Sequence, residues 1–111
     1  MNKQYRIKKS SEIEDVLKKG TKAFSKYFIF YKLETNETSH FRFATSVGKK
    51  IGNAVTRNLT KRRIRAAVEK FDLTSKNMDV FIIAKPTVND LTFDGYVKQI
   101  DYLLHKLHII D

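Results

Sequence analysis

The chain has 111 residues, a net charge of +10 and a hydrophobic content of 41%, which suits one domain with a single core and an acidic partner such as a nucleic acid. The absence of cysteine excludes disulfides, a thiolate nucleophile and cysteine-based zinc sites. No apolar run approaches the roughly 18 residues of a membrane-spanning helix, and no apolar signal-peptide segment follows the basic N-terminus. We therefore expect a cytoplasmic protein without a membrane partner, in which residues 1–111 form one domain.

The N-terminal part of the chain carries the signals of a short amphipathic helix. Ser11 and Glu14 have the spacing of a capping box, and apolar residues follow at helical intervals. Gly20 stands where a glycine commonly closes a helix. These signals predict a first helix over about residues 12–19.

Two extended segments follow this helix. Residues 22–34 read as extended, and the run 27–33 is rich in aromatic side chains, as in a strand that is partly buried on both faces. Residues 41–47 alternate well enough to predict a second strand. Since a polar loop over residues 34–39 separates the two runs, an antiparallel pair is the simplest arrangement. A further short strand can lie near residues 21–24.

The second half of the chain predicts two helices on either side of a central strand. Asn53 is a favourable N-cap for a helix over about residues 54–71, and the short apolar run 79–84 is typical of a central strand. Thr92 can cap a last, strongly amphipathic helix. The expected fold is an α+β two-layer sandwich of order α-β-β-(β)-α-β-α, with one sheet and packed helices.

Residues 49–65 are the most unusual segment, because they contain seven basic side chains and no acidic one. A polyphosphate offsets the repulsion among these charges better than a small substrate does. Gly52 lets a phosphate approach the helix N-terminus, where free N–H groups favour an anion. The alternative is a solvated basic face with no ligand. The residues predicted to contact a polyphosphate such as RNA are Lys49, Lys50, Asn53, Arg57, Asn58, Lys61, Arg62 and Arg65.

A helical projection divides this segment into a basic and an apolar side. Arg57, Lys61 and Arg65 share one stripe, and Asn58 and Arg62 form the adjoining one. Arg63 falls among the apolar positions and is expected to reach the rim, whereas Val68 falls among the basic ones. The apolar positions expected to face the sheet are Val55, Leu59, Ala66, Ala67 and Phe71.

The same residues resemble a known family. The pattern Lys50-x-Gly52-Asn53-Ala54-Val55-x-Arg57-Asn58-x-x-Lys61-Arg62-x-x-Arg65 resembles the "RNR" signature of the bacterial ribonuclease P protein family. Arg6-Ile7-Lys8-Lys9 before a short helix is similar to that family's opening, and Phe41-Arg42-Phe43 is similar to the strand before its signature. The resemblance implies a ribosomal protein S5 domain 2-like sandwich with a left-handed β-α-β crossover.

The resemblance also implies a function. The chain would be the protein subunit of ribonuclease P, a ribonucleoprotein endoribonuclease whose RNA and Mg²⁺ ions hydrolyse the phosphodiester bond that joins the 5′ leader to precursor tRNA. The signature helix would bind the ribonuclease P RNA, and a cleft between the first helix and the sheet would hold the leader. The matching cleft positions are Ile13, Leu17 and Tyr31. No catalytic residue and no metal site are expected on the protein itself.

Other interpretations of these residues stay open. Tyr31 can stack on a base or be an ordinary half-buried strand residue. The chain can be a general RNA-binding or ribosome-associated protein without a role in cleavage. A stand-alone metal-dependent ribonuclease would need clustered carboxylates, and the acidic residues near Glu14 are explained by a helix start. His105 and His108 have no third ligand nearby in the sequence, so we expect a solvent-facing pair.

Overall fold

The computed structural model describes residues 5–35 and 40–111, so most of the predicted polar loop lies outside the described residues. Its three helices and four strands confirm the expected α+β sandwich, including the additional short strand. A 3-10 turn precedes α2, and another precedes α3. The elements in chain order are α1 (Ser10–Lys19), β1 (Thr21–Phe24), β2 (Phe28–Glu34), β3 (Arg42–Val47), α2 (Ala54–Val68), β4 (Met78–Ala84) and α3 (Phe93–Lys106).

The strands form one sheet in the order β1-β2-β4-β3. β2 is antiparallel to both β1 and β4, and β3 is parallel to β4, so β4 is central as predicted. The predicted antiparallel pairing of β2 with β3 is wrong, because β4 lies between them. Residues of β4 are buried along nearly its whole length, which is typical of a strand covered on both faces of the sheet.

The two faces of the sheet are covered unequally. α2 and α3 contact each other and cover one face, where the main core lies. α1 contacts only β2 and β4 among its larger contacts and lies on the other face, which it covers in part. The core between the sheet and the helix pair is built from large apolar side chains that include Phe28, Phe30, Phe43, Val80, Ile82, Ile64, Tyr96, Ile100 and Leu103.

α1 ends at Lys19 as predicted, but its start and the conformation of Gly20 differ from the prediction. Lys9 is the N-cap and no side chain caps the helix, so the capping box is wrong and Ser11 lies inside the first turn. Gly20 does follow the last helical residue, but its φ of −76° is not left-handed. A Cβ atom there would lie 2.4 Å from the Val16 carbonyl oxygen and 2.8 Å from that of Lys32. Glycine is therefore required because the helix end meets β2 closely.

An ion triad ties α1 to the sheet. Arg42 donates from Nε to Asp79 Oδ1 at 3.0 Å and from Nη2 to Asp79 Oδ2 at 2.8 Å. The same Nη2 donates to Glu12 Oε2 at 2.7 Å. Asp79 is buried in the central strand, so Arg42 supplies the paired charge that a buried carboxylate needs. The contact fixes where α1 sits on the open face.

None of the described helices is long and apolar enough to cross a membrane. The longest described helix is α2, with 15 residues.

We predict that Arg42→Ala lowers the free energy of unfolding by about 3–5 kcal/mol, because it leaves the buried Asp79 carboxylate without a partner. Urea denaturation measures the loss, and Lys98→Ala, which removes an exposed cation from α3, is the matched control. Equal unfolding midpoints for the two variants would contradict a stabilising triad.

The pH dependence of stability gives a second readout of the triad. The hydrogen bond from Arg42 lowers the pKa of Glu12. Glu12 therefore adds stability at pH values above its unfolded-state pKa, and this contribution is lost as the pH falls through the lower folded-state pKa. Glu12→Gln should flatten this acid limb of the stability curve.

Candidate nucleic-acid interface

The start of α2 is built as an open, positively charged helix N-terminus. Gly52 has a φ of +155°, a conformation open mainly to glycine. Asn53 follows as the N-cap, and its Oδ1 accepts a hydrogen bond from the Thr56 N–H at 2.9 Å, as predicted. Lys49 and Lys50 are exposed on the preceding 3-10 turn. Exposed lysines and free backbone N–H groups therefore occur together at the start of α2.

Five of the six basic or amide side chains of α2, all except Arg63, form what we call the α2 ridge: Arg57, Asn58, Lys61, Arg62 and Arg65. Asn58 and Arg62 are exposed, and the other three are half-buried. Within residues 5–35 and 40–111, no salt bridge joins a ridge cation to a carboxylate. The protein's own described acidic groups therefore leave the charge of the ridge uncompensated by ion pairing.

The predicted apolar face of α2 is largely wrong. Val55 is 75% exposed, and Leu59 and Ala66 are exposed as well. Ala67 is buried and Phe71 packs against the core, as predicted. Val68, which the projection placed among the basic residues, is also buried. The residues of α2 buried in the structure are Thr60, Ile64, Ala67 and Val68.

The predicted apolar face is wrong because the ridge lies beside the buried side of α2 and not opposite to it. In projection Arg57, Lys61 and Arg65 lie on the same side of the helix as the buried Val68, and all three are half-buried. A long basic side chain in such a position can bury its aliphatic stem and keep its charged head in solvent. Arg63 points the other way, and its guanidinium carbon lies 5.9 Å from the centre of the Tyr96 ring on α3. The two neighbouring residues Arg62 and Arg63 therefore face different surroundings.

A cationic groove of about 250 Å³ runs between α1, β3 and α2. Arg6, Lys61 and Arg65 line it together with Ile13 of α1. Burial is the largest cause that lowers the pKa of Arg65, and the nearby positive charges of Arg6 and Arg62 lower it further. The negative charge of Glu69 acts in the opposite direction but does not cancel these effects, so Arg65 is a partly buried cation beside other cations.

Two guanidinium nitrogens, one from the groove lining and one from the ridge, lack a hydrogen-bond partner among the described residues. The Nε atoms of Arg6 and Arg57 are buried, and no acceptor among the described residues bonds to them. Buried polar groups are normally satisfied, and a guanidinium is well shaped to donate to phosphate oxygens. The groove and the ridge therefore form one surface with the charge and the donors for a polyanion.

The residues predicted for a leader cleft lie on two parts of the open face. Ile13 lines the cationic groove, and Leu17, one turn later on the same flank of α1, is 40% exposed. Tyr31 is half-buried on β2 and pairs with Phe81 of β4 in the sheet register. Its ring lies 5.8 Å from the Lys22 ammonium. Strand register places Tyr31 and Lys22 on the face that α1 leaves partly uncovered.

Two contributors to these surfaces were not predicted from the sequence. Arg6 enters the groove because it forms an isolated parallel bridge with Phe43 at the sheet edge, a pairing that no local pattern indicates. Lys22 belongs to the edge strand β1, and the register Lys22↔Tyr31 brings it beside the aromatic ring. Strand alternation alone could have placed Lys22 on one face, but not opposite Tyr31.

Among the described residues, no group of three His, Cys, Asp or Glu side chains could hold a metal ion. Glu12 is engaged by Arg42. His105 and His108 are both exposed, and the His105 Nδ1 lies 2.9 Å from the Asp101 carbonyl oxygen. The described side chains therefore offer cations, amide groups and rings for binding, but no carboxylate cluster that suits Mg²⁺.

Comparisons with known proteins point to one family. A family model described as Ribonuclease P matches residues 1–108. The ribonuclease P protein component of Enterococcus faecalis is 39% identical over 112 aligned residues, which cover all of this chain and 95% of the relative. That of Bacillus velezensis is also 39% identical, with 96% of this chain and 91% of the relative covered.

Solved structures show the same similarity. The RNase P protein of Staphylococcus aureus superposes with a TM-score of 0.85 at 33% identity, covering 96% of this chain and 98% of that one. The RNase P protein of Thermotoga maritima has a TM-score of 0.76 at 21% identity and shares the fold.

We predict that Asn53 can be separated into a capping and a binding contribution. Asn53→Ala should lower the free energy of unfolding by about 1 kcal/mol through loss of the cap. Asn53→Asp should keep the cap, since a carboxylate accepts the same hydrogen bond, but should weaken RNA binding by placing a negative charge at the anion site. Urea denaturation and an RNA-binding titration measure the two effects.

The matched control is Thr92→Ala, which removes the N-cap of α3, where the hydroxyl accepts from the Gly95 N–H at 3.1 Å. It should cost similar stability and leave RNA affinity unchanged. If Asn53→Asp bound RNA as tightly as the native chain, the start of α2 would not contact phosphate.

Proposed function

The chain belongs to the ribonuclease P protein family, and we therefore propose that it binds the ribonuclease P RNA and the 5′ leader of precursor tRNA. In this proposal the RNA and its Mg²⁺ ions carry out hydrolysis, and the protein supplies no catalytic group. The chain would act in tRNA 5′ maturation as the RNA-binding protein subunit of a ribonucleoprotein endoribonuclease.

The observation that carries the proposal is the uncompensated charge of the α2 ridge and the adjoining groove. Ridge cations without a described carboxylate partner and the cationic lining of the groove both support an external anion. A phosphate backbone supplies closely spaced negative charges along such a ridge. Lys49, Lys50 and Asn53 at the start of α2 extend the proposed RNA contact.

The open sheet face supports the leader-binding part of the proposal. Tyr31 offers an aromatic ring beside the Lys22 ammonium, and stacking of a base on such a ring contributes about 1–3 kcal/mol. Leu17 and Ile13 offer apolar surface on the α1 side. A single strand held there would bring its phosphates near the cationic groove.

The physical role of the protein would be electrostatic. Two RNAs that approach each other repel, and each phosphate neutralised by a side chain releases a counterion that would otherwise be held. A subunit that reduces this repulsion strengthens substrate binding and lowers the Mg²⁺ concentration that the RNA requires. Since the described residues provide no carboxylate cluster, the Mg²⁺ ions would be bound mainly by the RNA.

Reconstitution tests this proposal against the alternatives. Ribonuclease P RNA and labelled precursor tRNA are mixed at low Mg²⁺ with and without the chain, and the chain is also assayed without RNA. Cleavage that needs the RNA and is stimulated by the chain supports the proposal. Binding without stimulation would favour a general RNA-binding protein, and cleavage by the chain alone would favour an independent nuclease.

We predict that removing one ridge cation lowers the salt dependence of RNA binding. Arg57→Ala, Arg62→Ala and Arg65→Ala should each reduce the slope of log K against log salt by about 0.7–0.9 per lost phosphate contact. Binding titrations at several salt concentrations give the slope. Arg63→Ala is the matched control, because Arg63 faces the Tyr96 ring and not the ridge. A slope that changes equally in Arg62→Ala and Arg63→Ala would count against the ridge.

We predict that Tyr31→Ala lowers the preference of the reconstituted enzyme for leader-bearing precursor over mature tRNA by about tenfold, the equivalent of about 1.4 kcal/mol of lost stacking. Tyr31→Phe keeps the ring and should retain the preference. Equilibrium binding of both RNAs is the measurement. Equal weakening for precursor and mature tRNA would show that Tyr31 does not contact the leader.

A further inference from the structure

Aromatic rings and lysine ammonium groups alternate along a strip that leads away from Tyr31. The Lys22 ammonium lies 5.8 Å from the centre of the Tyr31 ring and 5.9 Å from that of the Phe24 ring. The Lys106 ammonium lies 5.7 Å from the same Phe24 ring and 5.6 Å from the Tyr102 ring. The strip thus runs Tyr31, Lys22, Phe24, Lys106, Tyr102, and we call it the outer strip.

The outer strip passes from the open sheet face to the helix layer. Phe24 ends β1, which is an edge strand of the sheet, and Phe24 shares the face of Tyr31 by strand register. Tyr102 and Lys106 belong to α3, which covers the opposite face. The strip therefore bends around the edge of the sheet, and its inner end is the proposed leader site.

The two outer rings, Phe24 and Tyr102, are exposed and are not part of the hydrophobic core. Phe24 is 58% exposed and Tyr102 is 51% exposed. A third ammonium, that of Lys85, lies 5.5 Å from the Phe24 ring. Among the described residues, no carboxylate forms a salt bridge with Lys22, Lys85 or Lys106.

Three ammonium groups lie near the one Phe24 ring, and the repulsion among these like charges opposes their attraction to the ring. The attraction of each cation to the ring contributes about 0.5–1 kcal/mol at exposed sites. Lys85 also donates to the Ser25 carbonyl oxygen at 2.7 Å. An external anion beside Phe24 would attract all three cations at once.

From this alternation we propose that the outer strip binds the distal part of the single-stranded leader, upstream of the nucleotides at Tyr31. The inference rests on the proposed leader binding and extends it. Phe24 and Tyr102 would stack on bases, while Lys22, Lys85 and Lys106 would contact the phosphates between them. Single-stranded nucleic acid presents the matching sequence of flat bases and negative charges.

An acidic protein segment fits the strip less well than RNA does. Carboxylates would match the lysines, but a peptide offers no regular series of flat groups for exposed rings. The strip also joins the Tyr31 site directly through Lys22, which lies near both rings. A strand that leaves Tyr31 toward the edge of the sheet meets Phe24 next.

A series of precursor tRNAs whose leaders are shortened one nucleotide at a time tests the proposal. Affinity for the reconstituted enzyme is measured with the native chain, Phe24→Leu, Tyr102→Leu and Phe24→Trp. For long leaders, Phe24→Leu should lose about fivefold or more in affinity, and Phe24→Trp should retain it, because the tryptophan keeps a ring. For leaders that end near Tyr31, all four should bind equally. Since both rings are exposed, urea unfolding midpoints should not change.

A matched pair of lysine variants tests the charged part of the outer strip. Lys106→Gln should lower the salt slope for long-leader precursor by about 0.7, whereas Lys98→Gln, an exposed cation elsewhere on α3, should not change it. The slope for mature tRNA should be the same for both variants.

The possible failures are distinguishable. If the native enzyme bound precursor and mature tRNA alike, the proposed leader binding would fail and the outer strip with it. If the native enzyme preferred long leaders and Phe24→Leu had the same affinity as the native chain at every leader length, only the proposed role of the outer strip would be overturned. Equal loss for every leader length would show that Phe24 affects the enzyme in some other way, and this also overturns the proposal.

Discussion

Mutual repulsion among basic side chains is the constraint on which the rest of this structure depends. The chain carries 22 lysines and arginines against 12 acidic residues, and two of those acids, Glu12 and Asp79, are engaged with a single arginine that holds α1 on the sheet. The described salt bridges leave the α2 ridge unpaired. Cations that are not paired with acids repel one another and lower the stability of the free protein. The same unpaired charge attracts a polyanion.

The two faces of the sheet differ in how completely they are covered. One face is buried beneath α2 and α3 and supplies the core. The other carries α1 at one side and leaves Tyr31 and its neighbours accessible. Because Arg42 reaches both α1 and the central strand, the position of α1, and with it the groove lined by Ile13, Lys61 and Arg65, depends on one buried ionic contact.

Local signals predicted those features that local physics determines. The N-caps at Asn53 and Thr92, the extents of most elements and the central position of β4 follow from hydrogen-bonding geometry and apolar periodicity within short windows. The pairing of strands was predicted wrongly, because a polar loop suggests a hairpin while the burial of β4 demands that it insert between β2 and β3. Likewise, the projection of α2 identified its basic stripe, but it could not show that Ile64 and Thr60 define the buried side.

The sequence by itself determined the concentration of positive charge, its place at the start of a capped helix and the family signature that this segment carries. Each of these is a property of residues close together along the chain. Only the tertiary structure decided that Arg6 joins Lys61 and Arg65 in one groove, and that Lys22 and Lys106 link three separate aromatic rings. Those contacts join residues far apart in sequence, and they depend on strand order and helix rotation, which are fixed by the packing of the whole core and not by any local preference.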